Sequence, residues 1–279
     1  MNKKIWYVTG ASKGLGLVLV KTLLNKGYRV AATSRNLNEL QQAVGVTNDA
    51  FLPLAVDLKD EKSVEKSIKD TVTRFGGIDV VVNNAGYGLL GSLEELSDAE
   101  VRQNFDVNVF GVLNVIRKVL PYMRKQQSGH FFNIASIGGF TGNFPGFGSY
   151  AATKFAMHGF SESMAAEVKP FGITVSIVSP GYFRTEFLAG SLGVPANEIE
   201  AYKLVRDSQQ AHTQSINHNQ AGDPAKAATV MIEIAEQKEP PLHLFLGKDA
   251  YEFADVKIKA VQQDMAAVKE LATSTDFDQ

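Results

Sequence analysis

Tyr150 and Lys154 stand four apart in Tyr150-Ala151-Ala152-Thr153-Lys154, and Ser136 lies fourteen positions upstream. Four positions along a helix return to the same face, so a lysine ammonium would lie beside a phenol. A nearby cation favours the phenolate, and the Tyr150 pKa is expected to fall from its ordinary value of about 10 toward neutrality. A tyrosine tuned in this way gives or takes a proton at a carbonyl or alcohol oxygen. The same pair is common on solvated helix faces, so its chemistry depends on what the other elements bring to it.

Ile5 to Thr9 reads as a short buried strand, and Leu15 to Asn25 as a helix stopped by Gly27. Between them runs Thr9-Gly10-Ala11-Ser12-Lys13-Gly14-Leu15-Gly16. A strand, a glycine-rich turn and a helix present bare backbone N–H groups and a positive helix end to a pyrophosphate. Gly10, Gly14 and Gly16 make the turn, with GxxxGxG spacing in place of the commoner GxGxxG. Tyr28 to Thr33 is a second strand, completing a βαβ unit. An NAD-binding unit carries an acid about 20 residues beyond the glycines, for the ribose hydroxyls. Here the chain reads Ser34-Arg35-Asn36, and the first acid is Glu39. Arg35 suits a 2′-phosphate, and Lys13 can reach the same group, so NADP(H) is expected over NAD(H). The alternative is that both are ordinary surface cations.

Five further strands follow. Phe51 to Val56 ends at Asp57-Leu58, where the Asp either meets a ligand or caps the next helix, Lys62 to Phe75. Ile78 to Val82 runs into Asn83-Asn84-Ala85-Gly86, at a strand end where α/β proteins bind ligands. Asp98 to Lys125 is helical and holds Asn108 among apolar neighbours; a buried amide there must find partners, structural or functional. Gly129 to Ala135 delivers Ser136 at its end, and the loop to Tyr150 carries glycines, Pro145, Phe140, Phe144 and Phe147. With Phe183 and Phe187, these rings are expected to wall an apolar pocket. Tyr150 to Lys169 is a helix, and Ile173 to Ser179 a strand ending in Pro180-Gly181. Residues 182–220 are weakly patterned and read as a lid. A helix from Asp223-Pro224 to Glu236, a strand Leu242 to Leu246 and a terminal helix over 249–271 close the chain. That last helix either joins an oligomer or folds back on its own domain.

The 279 residues carry 44% hydrophobic residues and a formal net charge of -2, usage that supports one large α/β domain over 1–279. No cationic field exists for nucleic acid or a membrane surface. The absence of cysteine excludes disulfides and thiol catalysis. No run reaches the roughly 18 apolar residues of a membrane span, so a cytoplasmic protein is expected. His130, His158, His212, His218 and His243 show no metal-binding spacing, and no metal is assigned. His158, four beyond Lys154, either approaches the pocket or packs.

Taken together, these motifs resemble the short-chain dehydrogenase/reductase family in its single-domain form, over roughly Lys4 to Leu246. Thr9 to Gly16 matches TGxxxGxG, and Asn83 to Gly86 matches NNAG. The stretch Pro240-Pro241-Leu242…Gly247-Lys248-Asp249-Ala250 looks like bacterial members related to 17β-hydroxysteroid and retinol dehydrogenases. The resemblance implies a Rossmann-type α/β fold, a doubly wound sheet of about seven parallel strands with helices on both faces. It implies a catalytic set of Asn108, Ser136, Tyr150 and Lys154. Cofactor contacts are implied at Gly10, Ser12, Lys13, Gly14, Leu15, Gly16, Ser34, Arg35, Asp57, Leu58, Asn84, Ala85, Gly86, Tyr150 and Lys154, with Pro180, Gly181 and Thr185 at the nicotinamide. Ser136 would orient a substrate carbonyl, Tyr150 would exchange its proton, and Lys154 would lower the tyrosine pKa and bind ribose. Asn108 would hold a water linking Lys154 to solvent. A homodimer or homotetramer acting on a small carbonyl or alcohol is implied; the alternative is a non-catalytic NADP(H)-binding sensor or scaffold on the same fold.

Overall fold

The computed structural model describes residues 3–277. Its first half runs β1 (Ile5–Val8), α1 (Gly14–Asn25), β2 (Arg29–Ser34), α2 (Leu37–Val44), β3 (Phe51–Ala55), α3 (Glu61–Phe75) and β4 (Val80–Asn83). Next come a two-residue strand β5 (Gly88–Leu89), α4 (Asp98–Phe105), α5 (Gly111–Gln126), β6 (Gly129–Ile134), α6 (Gly148–Val168) and β7 (Ile173–Pro180). The last part holds α7 (Phe187–Gly190), β8 (Leu192–Gly193), α8 (Lys203–Gln210), α9 (Pro224–Ala235), β9 (His243–Leu246) and α10 (Lys248–Thr273). Among the described residues no helix is long and apolar enough to cross a membrane.

Seven strands form one sheet in the order β3-β2-β1-β4-β6-β7-β9, all pairs parallel. Strands buried on both faces need apolar residues at successive positions, and Ile5-Trp6-Tyr7-Val8 and Val80-Val81-Val82 supply them. Tyr7, Val81 and Phe131 point to one face, where α3, α5 and α6 contribute Ile68, Val115 and Met157. Trp6, Val8, Val82 and Phe132 point to the other, where α1, α2 and α9 contribute Leu19, Leu40 and Met231. This is the doubly wound α/β sheet that the family resemblance implies. The chain leaves β1 toward β2 on one side and returns to β4 on the other, so a crevice opens at the carboxyl ends of β1 and β4.

Three regions depart from the sequence reading. The helical run from Asp98 is broken by a π turn at Asp106–Phe110, which contains Asn108. Wider turns of this kind arise where an extra residue is accommodated in a helix, frequently at functional sites. Residues 182–220 are not formless: α7, β8, α8 and a second π turn at Ala211–Ile216 lie there, and β8 pairs with β5. The terminal helix does not fold back. It rests on the body through its first turns and then leaves it.

Candidate active site

The crevice is a cleft of about 980 Å³. Its floor begins at the glycine turn. Gly10 and Gly14 adopt φ of 63° and 59°, a left-handed backbone that glycine takes without strain. A Cβ on Gly10 would stand 2.7 Å from Ala85 Cα, so glycine also permits the close approach of the β1 and β4 ends. Two side chains clamp that junction. Thr9 Oγ1 accepts from the Asn84 and Ala85 N–H groups, both at 3.0 Å, and Asn84 Nδ2 donates to the Thr9 and Gly10 carbonyls at 2.9 and 3.0 Å. α1 starts at Gly14 with no side-chain cap and no acid in its first turn. Its first N–H groups and positive end therefore remain available to an anion, as a pyrophosphate requires.

Gly10, Ser12, Lys13, Gly14 and Leu15 line the cleft, as do Ser34, Arg35, Asp57 and Leu58 at one end. Asn84, Ala85 and Gly86 line its middle, and Pro180, Gly181 and Thr185 its other wall. Gly16 does not line it. That glycine packs α1 against the turn, since a Cβ would stand 2.7 Å from the Gly10 carbonyl oxygen. Lys13 Nζ reaches across the cleft mouth and donates to the Gly190 carbonyl at 2.8 Å. Asp57 Oδ1 accepts from Lys59 N–H at 3.0 Å, while the cap of α3 is Asp60. Glu39, the first acid after the Arg35 segment, also lines the cleft.

Ser136, Tyr150 and Lys154 meet on the cleft floor. Ser136 Oγ accepts from Gly138 N–H at 3.1 Å, which holds the hydroxyl at the end of β6. A Cβ on Gly138 would lie 3.4 Å from Ser136 Oγ and 3.9 Å from Tyr150 Cε1, so the glycine sits between the two side chains. Lys154 Nζ donates to the Ile134 carbonyl at 2.7 Å and lies 5.8 Å from the Tyr150 ring centre. Gly139 is pressed onto α6 at this point: a Cβ would stand 2.7 Å from the Lys154 carbonyl carbon. Asn108 is fully buried and does not line the cleft. Its Nδ2 donates to Tyr87 O at 3.0 Å and Thr153 Oγ1 at 3.2 Å, and its Oδ1 accepts from Tyr87 N–H at 3.1 Å.

The expected depression of the Tyr150 pKa is overturned. Burial pushes the phenol up to about 12, with the nearby Ser136 hydroxyl opposing it. Burial also pushes the Lys154 ammonium down to about 7. Desolvation disfavours both charged forms, and it outweighs the attraction that helical spacing alone would predict.

Of the five phenylalanines, Phe144, Phe147, Phe183 and Phe187 line the cleft. Phe140 does not. Its ring packs edge-on to Phe245 at 5.2 Å, beneath α10. Leu90, Phe147 and Val205 gather around Tyr150, with Phe187 and Leu192 against them, an apolar wall beside the phenol. The histidine in the cleft is His212, not His158. Its Nδ1 lies 2.7 Å from Ser208 O, which makes that nitrogen the donor and leaves Nε2 to accept from Tyr182 OH at 2.8 Å. His158 packs instead, its Nε2 3.1 Å from Ser179 Oγ. One grouping escaped the histidine spacing: His158, Glu162 four residues on, and His243 of β9 hold ligand-type atoms within 4.8 Å of one another. None of the three lines the cleft. Asp249 was also overlooked; its carboxylate accepts from Tyr182 N–H at 2.7 Å and so fixes the turn after Pro180-Gly181.

The cleft and fold place the chain among doubly wound α/β proteins that bind a dinucleotide. A family model described as short chain dehydrogenase matches residues 4–192. The chain is 36% identical to oxidoreductase BOA17 of Botryotinia fuckeliana, covering 90% of this chain and 91% of that one. It is also 36% identical to a 3-ketodihydrosphingosine reductase of Bacteroides thetaiotaomicron, covering 88% and 89%. A solved short-chain dehydrogenase from Streptomyces avermitilis is similar at 36% identity with a TM-score of 0.90, covering 98% of this chain and 100% of that one. The chain belongs to the short-chain dehydrogenase family. It is a nicotinamide-dependent oxidoreductase acting on CH–OH and C=O groups.

A buried carboxylate helps tie residues 182–220, several of which line the cleft, to the segment before α4. Glu95, its side chain fully buried, pairs with Arg206 at 2.7 Å and accepts from Ile199 N–H at 2.7 Å. Desolvation pushes its pKa up, but the Ile199 and Ser92 N–H groups, the Ser92 hydroxyl and Arg206 together hold it below its ordinary 4.5. A depressed carboxylate stabilises the folded form above its ordinary pKa, and that contribution is lost as pH falls through the lowered value. Limited proteolysis within 182–220 should therefore stay slow at neutral pH and accelerate only below about pH 4.5. Arg206→Ala should accelerate it already at pH 7.

Proposed function

We propose that the chain interconverts an apolar ketone or aldehyde with its alcohol, using NADP(H) in preference to NAD(H). The observation that carries this reading is the convergence of Ser136, Tyr150 and Lys154 on the floor of a cleft whose other end is the glycine turn. When bound, the cofactor supplies or accepts the hydride. Ser136 hydrogen-bonds the substrate oxygen and orients the carbonyl. Tyr150, protonated in the free protein, gives its proton to that oxygen during reduction and takes one back during oxidation. Lys154, titrating near neutrality, passes protons between Tyr150 and solvent through a water held beside Asn108, and binds the ribose. Asn108 is a positioning residue: it holds Tyr87 and Thr153. A Cβ on Gly86 would meet Asn108 Oδ1 at 3.0 Å and Lys154 Nζ at 3.6 Å, so that space suits the water link between them.

The apolar wall around Tyr150 supports a bulky, weakly polar substrate, with residues 182–220 as its lid. The relative named 3-ketodihydrosphingosine reductase accords with that class. For the cofactor, Arg35 lines the cleft, and among the described residues no ion pair or hydrogen bond engages its guanidinium. Glu39 lines the same end and favours the opposite choice. Arg35 and Lys13 together outweigh the Glu39 carboxylate for a 2′-phosphate.

Three measurements test this. Tyr150→Phe should lower kcat by about 10²- to 10⁴-fold across a panel of ketones while NADPH still binds. Unchanged turnover would remove Tyr150 from the chemistry. Arg35→Ala should weaken NADPH about 10- to 100-fold relative to NADH. Equal use of both cofactors by the wild type would defeat the preference. Since the phenol sits at about 12, the phenolate fraction grows with pH, and oxidative kcat/KM should rise about tenfold per unit through the neutral range. A flat oxidative profile with chemistry rate-limiting would contradict the assignment.

A further inference from the structure

One turn beyond Lys154, α6 carries a second group of side chains with a chemistry of their own. His158 and Glu162 stand four apart, so both leave the same side of the helix. His243, the first residue of β9, pairs through its backbone with Ile177 of β7 and meets them there. The His158 and His243 rings are nearly parallel, their planes 18° apart and their centres 6.2 Å apart. Ligand-type atoms of the three residues all fall within 4.8 Å of one another. A tetrahedral zinc ion with bonds of about 2.0–2.2 Å holds its ligand atoms about 3.3 Å apart, a distance that side-chain rotation can close. His158 is buried, whereas Glu162 and His243 are exposed, so one ligand is fixed and the approach from solvent is open. Ser179 Oγ lies 3.1 Å from His158 Nε2 and orients the ring, as outer hydrogen-bond partners of metal-bound imidazoles do. Phe140 backs the group, its ring centre 6.1 Å from His158 and 5.2 Å from Phe245.

We propose that His158, Glu162 and His243 bind one zinc ion, with water as the fourth ligand, and that the ion braces α6 to β9. Two imidazoles and one carboxylate suit a borderline cation such as zinc, whereas magnesium and calcium require oxygen ligands. None of the three residues lines the cleft, so the ion acts on the frame and not on the reacting atoms. The frame is the one that matters to the site. α6 carries Tyr150 and Lys154, and β9 is the edge strand of the sheet, paired only with β7. Ser179, which orients His158, immediately precedes the Pro180-Gly181 wall of the cleft. An ion joining two positions so far apart in sequence closes a long loop, the case in which a cross-link stabilises most in principle. The proposal is independent of the substrate and cofactor assigned to the cleft.

Calorimetric titration of the untagged, chelator-treated full chain with zinc chloride tests it. One ion should bind per chain, and zinc at a hundredfold excess over Kd should raise Tm by about 5 °C. Magnesium and calcium chloride should do neither. Glu162→Gln and His243→Asn alter exposed side chains, so both variants should fold and turn over as the zinc-free wild type does, yet lose the Tm rise. Ser179→Ala should weaken zinc about 10- to 100-fold through the loss of the outer partner. His218→Asn, at an exposed histidine outside the group, should bind zinc as the wild type does. A wild type that binds no zinc, or a Tm rise that survives both Glu162→Gln and His243→Asn, would overturn the proposal.

Discussion

The structure depends on keeping one lysine ammonium inside a protein wall. Lys154 is 4% exposed, its Nζ holds a single carbonyl, Ile134 O, and burial lowers its pKa to about 7. An isolated buried charge is costly, and a group in that position either finds a partner or shifts toward neutrality. Lys154 does both in part. The close contact of Gly139 with α6 holds the amine at the sheet end where it meets Tyr150. A side chain at 139 would push the loop, and Ser136 with it, off α6.

The cofactor end obeys a different constraint. There the requirement is backbone, not side chain: an uncapped helix start and two strand ends drawn together through Gly10 and Ala85. The Thr9–Asn84 clamp links β1 to β4 at the point where the strand order reverses. Just past the end of β1 the Thr9 N–H still donates to the Val82 carbonyl, and beyond that bond the side-chain clamp braces the switch point. Both ends of the cleft are therefore set by rigid sheet geometry, and the intervening substrate wall is left to Leu90, Phe147, Phe187 and Val205 from loops and short helices.

The sheet was legible because parallel strands buried on both faces are written as apolar runs closed by Gly, Asn or Pro, as at Val80 to Gly86. Gly10, Asp57, Asn84, Ser136 and Pro180 followed, since each sits at or just past a strand end, whereas Tyr150 and Lys154 come from α6. What the sequence hid was long-range or energetic. The two-residue pairing of β5 with β8 has no periodicity to detect. The π turn at Asn108 differs from an α-helix by a single hydrogen-bond step. Phe140 and Phe144 are four apart in one loop, yet only Phe144 turns to the cleft. His158 and Glu162 have visible helical spacing, but His243 joins them from another element. The terminal helix was visible in the chain, but the end of its burial near Ala254 was not.

The sign of the Tyr150 shift shows why burial must be weighed before pair geometry. Proximity of Lys154 argued for a phenolate, but a cation that is itself desolvated to a pKa of about 7 is only partly charged at neutral pH. On the proposed reading this arrangement suits proton delivery: a phenol at about 12 is loaded throughout the neutral range, and an amine near 7 exchanges protons there most readily. Lys154 then serves the tyrosine by reloading it after each transfer. The pair is tuned by what excludes water from it, namely the Gly139 contact, the Ile134 carbonyl and the aromatic wall.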